Sequence, residues 1–436
     1  MNGNSRLRRM ASFGMMAVLA LTLAACEQAH PNTTFTPHSE YGRAIDMIWD
    51  RLLLLGTIVF VLVEAGILYI VFRYRKREGD ERPPQTHGNV VVEIIWTLIP
   101  VFILLFIAVP TVRTIFQTQA KAVAGALQIE VIGHQWWWEF RYPEYGIITA
   151  NEIYLPTGRT VNFKLTSNDV IHSFWTPQLG GKRDAVTNRT NYIWYTPDST
   201  LQPAEWNGFC TEYCGTSHAK MRFRVFTVKP DQFQSWVENQ KRPAAIGAVA
   251  PAQVAGNQPP AGGPKPATNP AALPAPPSMG AQIASNATNA PATQPVAYQF
   301  APNQPEFDYA KPHTPIPAGM TFTRGLTGNA HRGQQVFSTN ACVGCHAIAG
   351  NPAAVGNIGP NLTHFGSRAT IGAGSYPNTP AYLALWIKNA RVMKPGILMP
   401  TLGKDQTDPI LKQKVTAGGL DDQQIADIVA YLWAPK

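Results

Sequence analysis

The chain has 436 residues, a formal net charge of +9 and five cysteines. The base is unevenly placed: residues 324–436 carry ten Lys and Arg against five Asp and Glu, whereas residues 121–235 carry eleven against ten. No nucleic-acid motif accompanies this excess, so nucleic acid is excluded as its partner, and the basic C-terminal region reads as a docking face for an acidic surface.

Arg6, Arg8 and Arg9 precede an apolar stretch from Met15 to Ala25, the charged-then-apolar form of a secretory signal and too short to span a bilayer. It ends in Leu23-Ala24-Ala25-Cys26, similar to the bacterial lipobox in which the cysteine is lipidated. The alternative is an uncleaved anchor that leaves Cys26 as a spare thiol. Residues 1–25 are set apart as a leader on this reading.

Two longer apolar segments, Leu52 to Phe72 and Val90 to Val109, each have the roughly twenty residues needed to cross about 30 Å of hydrocarbon. Between them lie Arg73, Arg75, Lys76, Arg77 and Arg82, which places the short loop in the cytoplasm and both outer ends on the far side. Leader and hairpin agree that everything after residue 115 is external. Glu64 falls inside the first span and Glu93 at the cytoplasmic start of the second, and a carboxylate in hydrocarbon requires a protein or water neighbour. For Glu64 a helix contact is the simpler reading, and Glu93 sits where it can stay solvated.

Residues 125–235 read as strands. LQIEVIGHQWWWEFRY, EIYLPTGRTVNFKLTS and MRFRVFTVKP are β-branched, aromatic and partly alternating, with turn signals such as Pro156-Thr157-Gly158 between them. Metal-ligand residues fall on the predicted loops. Cys210 and Cys214 are four apart, with His218 and Met221 following, and soft thiolate, imidazole and thioether donors favour copper. His172, leaving an earlier strand, completes a set similar to that of cupredoxins. With two thiolates, two sulfurs can bridge two copper ions, which resembles the binuclear CuA centre. The competing reading of CxxxC in an exported chain is a disulfide or a thiol redox pair.

From Arg242 to Glu306 the chain is mostly Ala, Pro, Gly, Asn and Gln with Lys265 as the lone charge between those ends, a composition that cannot bury a core. Residues 239–320 are expected to form a flexible tether spanning about 50 Å root-mean-square. It would keep the following domain near the first at a concentration on the order of millimolar.

Residues 321–436 contain Cys342-Val343-Gly344-Cys345-His346. The two cysteines have the spacing to form thioethers with the vinyl groups of a haem, and His346 can reach its iron. A helix is predicted near Asn329 to Ser338. Met399 in Ile-Leu-Met-Pro is the expected sixth ligand, with Met393, at a predicted helix end, and His364 as competitors. A methionine opposite histidine raises the haem potential. The last helix is expected to start at Asp421, boxed by Gln424, and to bury Ile425, Ile428, Val429 and Leu432. His331 and His364 read as surface or packing residues. The region resembles a class I cytochrome c.

VEIIWTLIP, GHQWWWEF, HSFWTPQLGGKRDAVTNR and CTEYCGTSHAKM, with the hairpin, resemble subunit II of the haem-copper cytochrome c oxidases over residues 40–240. With the fused haem domain, the whole is similar to the caa-type oxidases. The resemblance implies His172, Cys210, Cys214, His218 and Met221 as side-chain ligands of CuA, and Glu212 as a ligand through its backbone carbonyl. It also implies that the Glu212 carboxylate helps hold a magnesium ion at the junction with subunit I, with Asp184 nearby. Glu93 matches a glutamate at the mouth of a proton path, and Trp136 the aromatic where electrons enter from a cytochrome c. Trp137 and Trp138 read as packing.

The expected fold is multidomain: a two-helix transmembrane hairpin (40–115), an all-β cupredoxin-like sandwich (120–238), the Pro/Ala-rich linker and an all-α class I cytochrome c domain. The expected function is that of the subunit that receives electrons in a bacterial proton-pumping cytochrome c oxidase. Haem c and CuA are the cofactors, with magnesium shared with subunit I. Oxidase subunits I and III, a cytochrome c or bc complex as donor, and the bacterial inner membrane are the partners, with both soluble domains periplasmic. A thiol-active copper chaperone and a CuA-bearing nitric oxide reductase are the alternatives.

Overall fold

The computed structural model describes residues 32–76, 87–119, 124–244, 252–253, 314–323 and 325–433. The leader, Cys26, Arg77, Arg82 and most of the tether lie outside the described residues.

Two helices, α1 (Glu40–Arg73) and α2 (Val90–Gln119), are long and apolar enough to cross a membrane, and neither buries its apolar window in the chain. At 1.5 Å per residue they run about 51 and 45 Å, against about 30 Å of hydrocarbon, so each exceeds the span expected from hydropathy. The excess lies at the outer end. There Ser39 caps α1, its Oγ accepting from Gly42 N–H at 3.1 Å and donating to Leu179 O at 2.5 Å. Arg43 grips both oxygens of Asp198 at 2.7 and 2.8 Å, and buried Tyr41 meets Trp194 and Tyr195 edge-on. The foot of the hairpin is thereby fixed to the β domain. Asn89 caps α2, and both Glu64 and Glu93 are exposed.

The β domain is two five-stranded sheets. One has the order β3 (Ile147–Ala150), β2 (Trp137–Tyr142), β1 (Leu127–His134), β5 (Val161–Ser167), β8 (Asn191–Tyr195). The other has the order β4 (Glu152–Pro156), β10 (Arg222–Val228), β9 (Ala204–Cys210), β6 (His172–Trp175), β7 (Arg183–Ala185). The pairs β1–β5 and β4–β10 are parallel and the rest antiparallel. Alternation decides which face is inside: in β1, Leu127, Ile129 and Val131 are fully buried while their neighbours are not. Between the sheets Trp138, Phe140, Phe163, Phe174 and Phe223 pack mostly edge-to-face, burying large apolar area. Helix α3 (Pro230–Lys241) closes the base with Phe233, Trp236 and Val237.

The C-terminal domain is built on α4 (Ala330–Thr339), the one-turn α5 (Cys342–Cys345), α6 (Pro380–Met393) and α7 (Asp422–Trp433). Asp421 and Gln424 cap α7 reciprocally, at 2.8 and 3.0 Å, as the sequence predicts. Asn329 caps α4. Helices α4 and α7 cross at Gly333, where an added Cβ would overlap the Asp427 carbonyl. The Asp427 side chain, buried, accepts from Arg332 and from the Asn329 amide. Gly333→Ala is expected to destabilise the C-terminal domain by about 3 kcal/mol, the upper range for overpacking, read as a lowered denaturation midpoint of the full chain. Two tether residues, Ala252–Gln253, pair antiparallel with Thr327–Gly328, a local exception to the structureless tether expected.

Candidate metal centre and haem cavity

The metal centre lies at one end of the sandwich because three elements end there. Strand β9 finishes at Cys210, a loop and a single turn (His218–Lys220) follow, and Met221 leads into β10. β6 opens at His172 and pairs with β9, Phe174 opposite Cys210. The Cys210 and Cys214 sulfurs are 3.7 Å apart, and both thiols are free. His172 Nδ1 lies 3.7 Å from Cys210 Sγ, His218 Nδ1 3.5 Å from Cys214 Sγ, and Met221 Sδ 3.8 Å from Cys214 Sγ. Glu212 O is 3.3 Å from Cys210 Sγ. All six sequence-expected donors converge.

The electrostatics suit a soft cation. The hydrogen bond between the two thiols pushes Cys210 down and holds Cys214 up. A buried sulfur pair that retains one proton releases it when a metal binds. Asp169, which the sequence reading passed over, accepts from His172 Nε2 at 2.8 Å and from Gln135 N–H at 2.6 Å. It turns Nδ1 of His172 towards the sulfurs, the role an outer carboxylate plays for a metal-bound histidine. Its signal was its place three residues before His172.

Around the CxxCH turn a cavity is walled by Cys342, Cys345, His346, Leu362, Trp386 and Met399. His346 Nδ1 donates to Pro360 O at 2.8 Å, which leaves Nε2 for iron, and burial favours the neutral imidazole. The loop carrying Met399 is tied down by Arg391, which reaches the carbonyls of Ile397 and Leu398 and pairs with Asp408 at 2.8 Å. Met393 is buried elsewhere and does not line the cavity, and His364 hydrogen-bonds Arg242 O. These residues fit a covalently attached haem.

The two sites meet at Trp136. Its indole Nε1 donates to Cys214 O at 3.0 Å, and its ring, with Gln135 and Trp137, forms part of the wall of the haem cavity. Trp136 is only 8% exposed, covered by the haem domain. Trp138 is core, as read from the sequence, whereas Trp137 both stacks on His134 and borders the cavity.

Residues 35–114 match the family model for the cytochrome c oxidase subunit II transmembrane domain, 146–228 that for its periplasmic domain, and 330–435 that for cytochrome c. Cytochrome c oxidase subunit 2 of Alkalihalophilus pseudofirmus is 30% identical, over 88% of this chain and 90% of that one. The chain belongs to the cytochrome c oxidase subunit II family. Cytochrome c oxidase subunit 2 of Bacillus sp. PS3 is also 30% identical, over 97% of both chains. The solved periplasmic domain of subunit II of cytochrome oxidase from Bradyrhizobium japonicum is 30% identical, covering 28% of this chain and 97% of that one, with a TM-score of 0.26. As a subunit II carrying a cytochrome c domain, the chain serves electron transfer in an oxidoreductase complex with other oxidase subunits, with copper in its periplasmic domain and haem in its C-terminal one.

Proposed function

We propose that this chain is the subunit through which electrons enter a bacterial proton-pumping cytochrome c oxidase of the caa type. When bound, haem c and binuclear CuA would supply one-electron redox chemistry, by which the chain would take electrons from a cytochrome c or bc complex for subunit I, which would reduce oxygen to water. Trp136 carries the reading, since one side chain touches the copper loop at Cys214 and closes the haem cavity.

The residues divide the work. Cys210, Cys214, His172, His218, Met221 and the Glu212 carbonyl would hold the copper. Cys342 and Cys345 would attach the haem, and His346 and Met399 would ligate its iron. The exposed carboxylates of Glu212 and Asp184 extend from segments that both neighbour Ser173, since Thr211 N–H donates to Ser173 O and Asp184 pairs with Ser173. This neighbourhood supports their sharing a magnesium ion with subunit I. Glu93, exposed at the cytoplasmic end of α2, fits the mouth of a proton path formed with subunit I. The hairpin crosses the inner membrane twice, beside subunits I and III, with both soluble domains periplasmic.

The test is spectroscopy of the purified full chain matured with copper and haem. A mixed-valence copper resonance with near-infrared absorption is expected, beside a low-spin haem c spectrum whose methionine-ligation band disappears in Met399→Ala. Copper that fails to bind, with Cys210 and Cys214 oxidised to a disulfide, would overturn the reading in favour of thiol redox chemistry.

A further inference from the structure

The two soluble domains share a tightly bonded seam rather than a loose contact. Haem-domain residues 369–373 lie along the edge of the copper domain. Glu152, 5% exposed and at the start of β4, accepts from the Ala369 and Thr370 amides at 2.8 and 2.9 Å and from Thr370 Oγ1 at 3.3 Å. Lys394, 2% exposed at the end of α6, donates to Gly372 O at 3.2 Å within its own domain and to Trp136 O at 2.5 Å across the seam. Arg222 N–H reaches Ala373 O at 3.1 Å. Beside the copper loop, Ser217 and Lys220 donate to the carbonyls of Pro395 and Met393 at 2.6 and 3.1 Å. Gly396 lets the backbone pass the Trp136 ring, since a Cβ there would stand 2.8 Å from it.

We propose that Glu152 and Lys394 are positioning residues that clamp the cytochrome c domain onto the copper domain with Trp136 between the two redox sites. The proposal rests on the electron-transfer function above. Its logic is that each group is ionisable and buried, and each finds hydrogen-bond partners in the other domain. Sliding the seam by one residue would leave a buried polar group without its hydrogen-bond partners, a penalty that attraction between apolar surfaces alone would not impose. Burial pulls Lys394 down to about 7 and pushes Glu152 up to about 7, as expected of groups whose surroundings the docked pose creates. Lys220 and Lys394 are thus both held against carbonyls at this corner. A tether that brings the domains together does not orient them; this clamp does.

The test uses the full chain with both centres loaded. In Glu152→Ala, the haem should still be reduced by a small-molecule reductant at the wild-type rate. Equilibration between haem c and copper should slow tenfold or more and become sensitive to solvent viscosity, because docking then limits it. Glu152→Gln, whose carbonyl still accepts, should restore most of the rate. Amide hydrogen exchange at 369–373 should rise in Glu152→Ala and in Lys394→Met, a readout independent of the metals. Unchanged exchange and unchanged equilibration in both variants would overturn the clamp. Failure of the wild-type chain to show the copper resonance would instead overturn the functional reading, leaving the exchange result to decide the clamp.

Discussion

Cys214→Ser is expected to abolish the binuclear copper resonance and electron transfer beyond the haem, while the haem c spectrum survives. Cys214 is the hub of the donor set: Cys210, His218 and Met221 all lie within 3.5–3.8 Å of its sulfur. Serine offers a hard oxygen in place of a polarisable bridge, and copper prefers sulfur. Removing an outer hydrogen-bond partner of a ligand costs about 10- to 100-fold in metal affinity, so losing the bridge should exceed 100-fold. Metal analysis of the full chain should fall from two copper ions to one or none. The haem domain has its own core of Phe337, Leu383, Ile425 and Val429, so its spectrum should not change. Retention of two copper ions with the mixed-valence signal would show that Cys210 alone organises the site.

Trp136→Leu tests the route. Leucine keeps an apolar side chain but loses the indole N–H on Cys214 O and the aromatic surface at the cavity. After rapid reduction the haem should stay reduced while copper fills slowly. The equilibration rate should drop at least about tenfold, the equivalent of about 1.4 kcal/mol of barrier. Two-wavelength stopped-flow separates the centres. Wild-type kinetics in this variant would move the route to Gln135, whose Nε2 also reaches Cys214 O, at 2.7 Å.

What could be read from the chain is what short windows encode. Alternation in β1, the Asp421–Gln424 box and the spacing of Cys210, Cys214, His218 and Met221 each lie within a few turns or one strand, where backbone geometry leaves few outcomes. The CxxCH turn is of the same kind. His172 stands 38 residues from Cys210 and was reached only through the expectation of a sandwich and the family resemblance; the β6–β9 pairing delivers it. Asp169 was passed over because a carboxylate three residues before a histidine is an ordinary surface pair until the ring is seen to turn on it.

By itself, the sequence determined the hairpin, the sandwich, the haem-binding turn and the donor types, since each follows from local periodicity or ligand chemistry. The tertiary structure alone decided that Trp136 is sealed beneath the haem domain and that Glu152 and Lys394 bridge the two domains. Glu152 and Thr370 are 218 residues apart and Trp136 and Lys394 258, across a tether of low complexity. No pattern in a window can encode such a contact. It arises only when two finished surfaces, each with a buried polar group to satisfy, fit one another.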